Sequence, residues 1–350
     1  MEPELSVIIP AINEAKSLPL LLRGLAQQRE IRLEIIVADG GSDDETLICA
    51  HQHGALVARS QAGRGVQMNT AAGLARSPHL LFLHADSELT SPTQLSVALT
   101  TFKEACHRLG HRRIAGHFRL RFRRSEQRNG LAYHYYQEKS GLNRPECTNG
   151  DQGLMIAGEF FRRLGGFDES LWFLEDQRLA ETVRRHGTWI TLPGDLYTSA
   201  RRFEQEGLSR RMILSALIMN FHNIGFLEFF HRARALYRNH DRSGPLALSP
   251  LFQLIDQLNR EAGATVARQR WLATGSYVLG NSWQIFFFLD TLIGYLFGTG
   301  RHPFLATYDL VFKPICASKI LAYPSAALTW LWFQSSWKYF IVRERKGLMR

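Results

Sequence analysis

Short apolar runs that alternate with amphipathic helical segments constrain the fold of this chain more than any other feature. Residues 5–10 (LSVIIP) and 33–38 (LEIIVA) are apolar runs of strand length, as is typical of buried strands in parallel sheets. Between them, leucines recur at helical spacing after Ser17, a residue type that often N-caps a helix. The rhythm continues to about residue 107. It predicts an α/β fold in which a mostly parallel sheet is flanked by helices.

The pattern changes after about residue 203, beyond which the chain is predicted to be helical. Residues 209–237 have a helical pattern, residues 239–250 are rich in turn formers, and residues 251–350 carry many bulky apolar side chains. We therefore expect an α/β domain over residues 1–205 and a helical C-terminal region over residues 206–350.

Two further elements are predicted within the first domain. Apolar and basic residues alternate over residues 114–123, which predicts a strand with one solvated, basic face. A helix is predicted over residues 175–186, closed by Gly187 at its C′ position.

Polar residues follow the predicted strands at the points where those strands end. Asn13 and Glu14 follow the first strand, Asp39 follows the second, and His84 and Asp86 follow a later one. Ligands of open parallel sheets bind at the carboxyl ends of the strands. This coincidence is the first indication of a binding site.

Each of these polar residues has a plain structural alternative. Asp86 is suited to hold a divalent cation against a diphosphate, because Mg²⁺ and Mn²⁺ prefer hard oxygen ligands, but it is equally suited to cap the next turn. Asp39 can accept hydrogen bonds from a nucleobase or ribose, or it can form the turn before Gly40. Asn13 and Glu14 have the same two interpretations.

Further candidates lie at predicted helix starts and in loops. Arg64, Gln67 and Asn69 lie at a predicted helix start, which is either an anion site or a plain helix start. Glu175 and Asp176 lie at another, where they provide either a catalytic base or helix capping. The remaining candidates are Asp151 and Gln152 for contact with a sugar, and Arg201 and Arg202 for contact with phosphate.

Taken together, these segments resemble family-2 glycosyltransferases. The matching segments are Ser6-Val7-Ile8-Ile9-Pro10 with Asn13-Glu14, Val37-Ala38-Asp39-Gly40-Gly41-Ser42-Asp43, the Asp86 segment, and Gly165-Gly166-Phe167-Asp168 leading to Glu175-Asp176. A bacterial subgroup of unassigned substrate is similar also in Gly63-Arg64-Gly65 with Gln67-Met68-Asn69, Leu83-His84-Ala85-Asp86, Gly150-Asp151-Gln152-Gly153 and Thr198-Ser199-Ala200-Arg201-Arg202-Phe203. The resemblance covers residues 4–225.

The resemblance implies a GT-A fold and an inverting transfer of sugar from a nucleotide-sugar, UDP-sugars being favoured, to a hydroxyl acceptor. Pro10, Glu14 and Asp39 would line the nucleotide pocket. Asp86, with His84 nearby, would hold Mg²⁺ or Mn²⁺. Asp176, beside Glu175, would be the general base.

One departure from the family pattern concerns the metal site. The usual Asp-x-Asp reads here as His84-Ala85-Asp86, so one negative charge is missing. Arg64 and Arg201 are candidates to neutralise donor phosphates in compensation.

The net charge of the chain limits the kinds of partner that it is expected to bind. The formal net charge is +10, which favours anionic partners such as nucleotides or an anionic membrane face. Eight arginines fall in residues 108–128, where a solvated face is the default interpretation, and we expect no specific nucleic-acid binding.

Four cysteines without a CxxC pair indicate reduced thiols of a cytoplasmic protein. No signal peptide is predicted before the first strand.

The C-terminal region is rich in aromatic residues and ends in a basic tail that includes Arg343, Arg345 and Arg350. This combination fits anchoring at the inner face of the cell membrane and a lipid-linked acceptor. The alternative is a helical subdomain that packs on the first domain or on a second subunit. The most apolar stretch, residues 278–298, is interrupted by Asn281 and Asp290, so no transmembrane helix is predicted.

Two other functional classes fit the sequence less well. A nucleotidyltransferase needs a Gly-rich, basic loop after the first strand, where this chain has Ala11-Ile12-Asn13-Glu14, and a dinucleotide oxidoreductase needs GxGxxG there. A catalytically degenerate, membrane-associated scaffold would have no use for Asp39, Asp86 and Asp176.

Overall fold

The computed structural model describes residues 2–171, 174–238 and 244–347. Within it the chain divides into two compact units, residues 1–199 and residues 200–350. Residues 239–243 of the predicted break and Arg350 of the predicted basic tail lie outside the described residues.

The first unit is built on one eight-stranded mixed sheet in the order β3-β2-β1-β4-β7-β6-β8-β5. The strands are β1 (Leu5–Ala11), β2 (Leu33–Asp39), β3 (Leu56–Arg59), β4 (His79–Phe82), β5 (Glu88–Leu89), β6 (Ile114–Arg123), β7 (Leu154–Ala157) and β8 (Thr188–Ser199). β3, β2, β1 and β4 are parallel to one another, as β6 is to β8, and the other three pairings are antiparallel. The predicted α/β fold class, a mostly parallel sheet flanked by helices and followed by a helical region, is confirmed.

Helices cover this sheet and complete the core of the first unit. They are α1 (Leu18–Ala26), α2 (Thr46–Gln52), α3 (Arg64–Leu74), α4 (Gln94–Leu109), α5 (Gly130–Ser140), α6 (Gly158–Arg163) and α7 (Glu175–His186). In α1, the leucines at positions 18, 21, 22 and 25 are buried, as their helical spacing predicts. They belong to one continuous core that also contains apolar side chains of β1 and β2.

The predicted solvated face of β6 is wrong for the first half of the strand, because α5 covers it. His117 is fully buried; its Nδ1 accepts the indole N–H of Trp189 at 2.5 Å, and its Nε2 lies 3.0 Å from the carbonyl oxygen of Ser140. Since indole can only donate, Nε2 carries the proton and donates it to Ser140. Burial lowers the pKa of His117 to about 4, so the ring is neutral at physiological pH.

The arginines further along β6 form ion pairs instead of facing open solvent. Arg119 pairs with Glu138 at 2.9 Å, and Arg121 pairs with Asp195 at 2.8 Å. Each is about one-third exposed or less. Much of the basic charge in this strand is therefore matched within the first unit.

The second unit is helical. Its helices are α8 (Arg201–Glu206), α9 (Leu208–Asn223), α10 (Leu227–Arg238), α11 (Ser249–Glu261), α12 (Gly263–Gly280), α13 (Trp283–Phe297), α14 (Pro303–Thr307), α15 (Lys313–Cys316) and α16 (Ala322–Arg345), with a π-helical turn at Tyr308–Phe312. Its core gathers apolar side chains of α9, α10, α11 and α16, among them Phe252 and Phe333. Within the described ranges, no helix combines the length and the apolar character needed to cross a membrane. All four cysteines are free thiols, as predicted.

Gly187 ends α7 as predicted, but for a different reason than a C′ glycine usually does. Its backbone is extended, with φ of −157°, and not left-handed. A Cβ at this position would meet the carbonyl oxygen of Arg113 and would lie 2.8 Å from Cζ of Phe160. Close packing between the end of α7 and the start of β6 therefore requires glycine.

We predict that Gly187→Ala lowers the free energy of unfolding by about 1–3 kcal/mol, the usual cost of overpacking. Gly24→Ala is the matched control, since Gly24 lies inside α1 and an added Cβ there would have no atom within 4 Å. Alanine at this position should raise stability by about 0.5–1 kcal/mol. Urea unfolding of the two variants measures both effects. Equal stability of the variants would contradict the close-packing account.

Candidate functional site

The topology brings several chain segments to one edge of the sheet. β1, β2 and β4 are parallel, so their carboxyl ends share this edge, and Phe82 of β4 lies opposite Leu154 of the antiparallel β7. The segment that precedes β7 therefore reaches the same edge. Helices α3 and α7 begin there too, because α3 follows β3 and α7 precedes β8, and both strands run in the direction of β1.

The loops that follow β1 and β2 are joined by Asn13. Its Oδ1 accepts the N–H of Asp43, and its own N–H donates to Oγ of Ser42, both at 3.0 Å. Asn13 has a φ of 56°, a left-handed conformation that asparagine tolerates. Pro10 and Glu14, the other predicted nucleotide contacts of this segment, flank it at the end of β1 and in the same loop.

Asp39 closes the turn that follows β2. Its carboxylate accepts the N–H groups of Gly41 and Ser42, both at 3.1 Å, and it is 3 % exposed. The turn-forming role is thus present in the structure, and the contact with a nucleobase stays a prediction.

Gln67 ties α3 to the neighbouring strands β1 and β2. Its buried Nε2 donates to the carbonyl oxygens of Ala11 at 3.0 Å and Ala38 at 2.8 Å. A Cβ on Gly40 would lie 2.9 Å from Cδ of Gln67, so glycine is needed for this close approach. Gln67 shapes the floor of the site, and its contact with a nucleotide stays a prediction.

Asn69, two residues further along α3, anchors the loop that leads to α7. It exchanges hydrogen bonds with the backbone of Phe167, at 2.8 and 2.9 Å, and donates to Glu169 at 2.9 Å. Gly166 of that loop has a φ of 74°. The nucleotide contact of Asn69 likewise stays a prediction, while its bonds explain why an amide is needed here.

Arg64 and Glu175 form an ion pair between the starts of α3 and α7. Nη1 of Arg64 lies 3.4 Å from Oε1 of Glu175; the arginine side chain is 44 % exposed and the glutamate 1 %. Burial raises the pKa of Glu175, although the charge of Arg64 opposes the shift. The half-exposed guanidinium keeps donors available for a second anion.

Asp176 is held in place by two backbone hydrogen bonds. Oδ2 accepts the N–H of Gly150 at 2.6 Å, and Oδ1 accepts the N–H of Gln177 at 2.8 Å. A Cβ on Gly150 would lie 2.6 Å from Oδ2, so only glycine allows this approach. An ionised carboxylate offers about four lone-pair sites, so Asp176 retains acceptor capacity in a fixed position.

Asp151 experiences the strongest electrostatic perturbation in this cluster. Among the described residues its Oδ1 has neither solvent access nor a hydrogen-bond partner. Burial raises the pKa of Asp151 to about 7, with the negative charges of Asp176 and Asp86 adding to the shift and Arg64 opposing it. Asp86 and Asp176, from separate segments, are therefore close enough to influence the ionisation of Asp151.

Asp86 accepts one long hydrogen bond, from Oγ1 of Thr198 at 3.4 Å. No group of three or more histidine, cysteine or carboxylate side chains in the described ranges is arranged to hold a metal ion by itself. Mg²⁺ and related cations are often bound by one or two carboxylates together with substrate phosphates. The carboxylate cluster, which a cation would relieve of negative charge, fits that kind of site and does not fit an all-protein cage.

Gln152 builds the loop that carries Asp151. It is fully buried; Nε2 donates to the carbonyl oxygens of Ser140 and Cys147, and Oε1 accepts the N–H of Asn149. These bonds give Gln152 a role in shaping the loop, and its contact with a sugar stays a prediction.

The remaining predicted residues are placed as follows. His84 is half-buried just after β4, two residues before Asp86. Arg201 and Arg202 are exposed at the start of α8, in the second unit. Their roles at metal and phosphate, and the domain boundary at 205/206, stay predictions.

Three residues that complete the cluster are not individually predicted from the sequence: Gly150, Gln177 and Thr198. Gly150 and Thr198 belong to the segments that carry the subgroup resemblance, so their presence there is a usable signal. Their contacts with Asp176 and Asp86 join positions 26 and 112 residues apart, which spacing along the chain does not reveal.

Residues 6–157 match the family model described as Glycosyl transferase family 2. The chain is 35% identical over 112 residues to 4,4'-diaponeurosporenoate glycosyltransferase of Staphylococcus haemolyticus, covering 30% of each protein. It is 38% identical over 94 residues to a PGL/p-HBAD biosynthesis glycosyltransferase of Mycobacterium tuberculosis, covering 25% of this chain and 37% of that protein. The matched segments thus span about a third of these curated relatives.

Two solved structures are similar at low sequence identity. The mannosyltransferase PcManGT from Pyrobaculum calidifontis, in complex with GDP-Man and Mn²⁺, is 18% identical with a TM-score of 0.48, covering 98% of this chain and 87% of that one. S. aureus TarS 1-349 in complex with UDP is 16% identical with a TM-score of 0.46, covering 91% and 90%.

The ionisation of Asp151 predicts a pH-dependent stability. Because its folded pKa is raised above the unfolded value, its contribution to stability is lost as the pH rises through about 7. Asp151→Asn removes the titration, so the melting temperature of the variant should exceed that of the wild type by more at pH 8 than at pH 5. Asp43→Asn, at an exposed site, should show the same difference at both pH values. A constant offset for Asp151→Asn would contradict the buried-carboxylate account.

Proposed function

We propose that the chain is an inverting glycosyltransferase of family 2 that uses a nucleotide-sugar donor, because residues 6–157 match the model of that family. The catalytic domain would comprise residues 1–205. UDP-sugars are the favoured donors on the family resemblance.

The observation that carries this proposal is the convergence of Asp86, Asp151, Asp176 and Arg64 at the carboxyl edge of the sheet. Asp86 and Asp176 both raise the pKa of Asp151, and Arg64 lowers it, so all four charges act on one small region. Perturbed carboxylates beside a cation are typical of catalytic sites.

The donor would bind across the ends of β1 and β2. Asp39 would contact the nucleobase, with Pro10, Asn13, Glu14, Gln67 and Asn69 forming the pocket around it. Arg64, Arg201 and Arg202 would balance the charge of the diphosphate. Charged hydrogen bonds from arginine to phosphate are among the strongest available to a protein.

Asp176 would be the general base. The acceptor oxygen attacks the anomeric carbon, its proton passes to Asp176, and the bond from that carbon to the diphosphate oxygen breaks with its electron pair leaving on the nucleoside diphosphate. One displacement of this kind inverts the anomeric configuration. The N–H groups of Gly150 and Gln177 fix the carboxylate for this step.

Asp151 would orient a sugar or acceptor hydroxyl. With a pKa of about 7, it is partly protonated near neutral pH and can donate as well as accept a hydrogen bond.

Asp86, with His84 nearby, would hold a Mg²⁺ or Mn²⁺ ion against the donor diphosphate. When bound, such an ion stabilises the negative charge of the departing nucleoside diphosphate.

A degenerate scaffold is less consistent with the site. Three mutually repelling carboxylates, one of them with a buried and unpartnered oxygen, cost stability. A binding scaffold gains nothing from such an arrangement, whereas in an enzyme the repulsion between carboxylates sets the ionisation of catalytic residues.

The acceptor that we favour is a lipid-linked hydroxyl presented at the inner face of the cell membrane, as the aromatic and basic C-terminal sequence suggests. The site itself does not depend on this assignment.

Metal-dependent nucleotide binding tests the donor and metal assignments. We predict that UDP, GDP, CDP or dTDP, together with Mn²⁺ or Mg²⁺, raises the melting temperature of the wild type, since a ligand that binds only the folded state stabilises it. Asp86→Ala should lose the metal-dependent part of the shift, and Glu104→Ala, an exposed control in α4, should keep it. No shift with any nucleotide would contradict the proposal.

Replacement of the base should separate chemistry from binding. Asp176→Asn keeps the size of the side chain but removes the proton acceptor, so kcat should fall by about 10²–10⁴-fold while nucleotide affinity is retained. Glu181→Gln, on the same helix, is the control and should leave both unchanged. Full activity of Asp176→Asn in a nucleoside diphosphate release assay would exclude it as the base.

A further inference from the structure

Exposed apolar side chains are concentrated in one part of the second unit. Of the 31 large apolar residues that are exposed in the described part of the chain, 22 lie in residues 278–342, and the other nine are scattered over residues 12–266. Such a concentration of exposed apolar side chains in one stretch of the chain is unusual for a monomeric soluble protein and marks an interaction surface.

Helix α13 buries two polar residues beside Trp283 and Phe287, and its aliphatic residues lie outside. Asp290 and Thr291 are buried; the carboxylate of Asp290 accepts the N–H groups of Phe304 at 3.0 Å and Leu305 at 2.7 Å, at the start of α14. The opposite side carries apolar residues at helical spacing, namely Ile285, Leu289, Ile293 and Leu296. A helix of a water-soluble domain has the reverse arrangement.

Helix α16 exposes large apolar residues in the same way. Its first turns pack through small residues: a Cβ on Gly275 of α12 would lie 2.5 Å from the backbone nitrogen of Ala326. Large side chains of α16 point outward instead, namely Tyr323, Leu328, Leu331, Trp332 and Tyr339. The exposed residues of α13 and α16, together with those of the intervening residues 298–321, are called the apolar face below.

The surroundings of the apolar face are basic. Residues 263–347 contain nine lysines and arginines but three acidic residues. Two of these three are engaged inside the unit: Asp290 as above, and Glu344, which pairs with Arg210 at 2.9 Å. Lys313, Lys319 and Lys338 are exposed between or beside the apolar residues.

The length of α13 limits how this surface meets a bilayer. Its 15 residues span about 22 Å at 1.5 Å per residue, less than the roughly 30 Å of hydrocarbon in a bilayer. Tryptophan and tyrosine, both present on the face, prefer the level of the lipid headgroups. These features fit a surface that lies in the interface without crossing it.

We propose that the apolar face docks on an anionic lipid bilayer, with α13 and α16 at the level of the headgroups and the lysines on acidic lipids. Apolar burial supplies affinity, and the basic residues select negatively charged membranes. This docking goes beyond the proposed sugar transfer and does not depend on it.

The test is co-sedimentation of the full chain with vesicles of phosphatidylcholine alone or of phosphatidylcholine with phosphatidylglycerol. The wild type should bind the mixed vesicles, more weakly at high salt, and bind pure phosphatidylcholine less. The double variant Ile285→Glu/Leu296→Glu should lose at least about tenfold in affinity for the mixed vesicles. Each substitution removes apolar area that docking would bury and adds a negative charge that acidic lipids repel. Leu20→Glu, at an exposed leucine of the first unit, is the matched control and should bind like the wild type.

Equal melting temperatures of the variants would show that the substitutions leave the fold intact. Asp86→Ala should also bind vesicles like the wild type, which separates docking from the proposed chemistry. Unchanged binding of the double variant would overturn the proposal. So would a wild type that ignores anionic vesicles and forms dimers which the double variant dissociates, because the face would then bind a second copy.

Discussion

The candidate site depends on the hydrogen bond between the N–H of Gly150 and the carboxylate of Asp176, at 2.6 Å. It joins the segment before β7 to the start of α7, and so brings Asp151 beside Asp176 and Asp86. Because Oδ1 of Asp151 is buried there without a hydrogen-bond partner, the ionisation of Asp151 is tied to both neighbours. The ion pair from Arg64 to Glu175 connects the same helix start to α3. A single glycine thus lets one cluster form from segments far apart in the chain.

Much of the fold could be predicted from the sequence, because the runs that form β1 and β2 are apolar throughout, and because ligand sites of such sheets lie at the carboxyl ends of their strands. Asp39 and Asp86 could be placed at that edge for the same reason. The burial of His117 could not, since alternation within β6 gives no sign that α5 covers its basic side. Nor could the packing role of Gly187, which depends on Phe160 and Arg113 in other elements.

The two units differ in which side chains their helices expose. In α1 the leucines face inward, as in a water-soluble helix. In α13 the buried side holds Asp290 beside two aromatic residues, and the aliphatic side chains face outward. Aromatic content alone indicated either a membrane surface or a packed subdomain. The outward direction of the aliphatic side chains favours the membrane surface that we propose, and this direction is known only once the helices are placed.

The central claim is that the edge formed by Asp86, Asp151 and Asp176 binds a metal and a nucleoside diphosphate. The most direct measurement is an anomalous difference map from crystals grown with Mn²⁺ and the nucleotide that stabilises the protein. The account predicts a peak within coordination distance of the Asp86 carboxylate, with the diphosphate beside it at the ends of β1 and β4. A bound nucleotide with its metal elsewhere on the protein would contradict it.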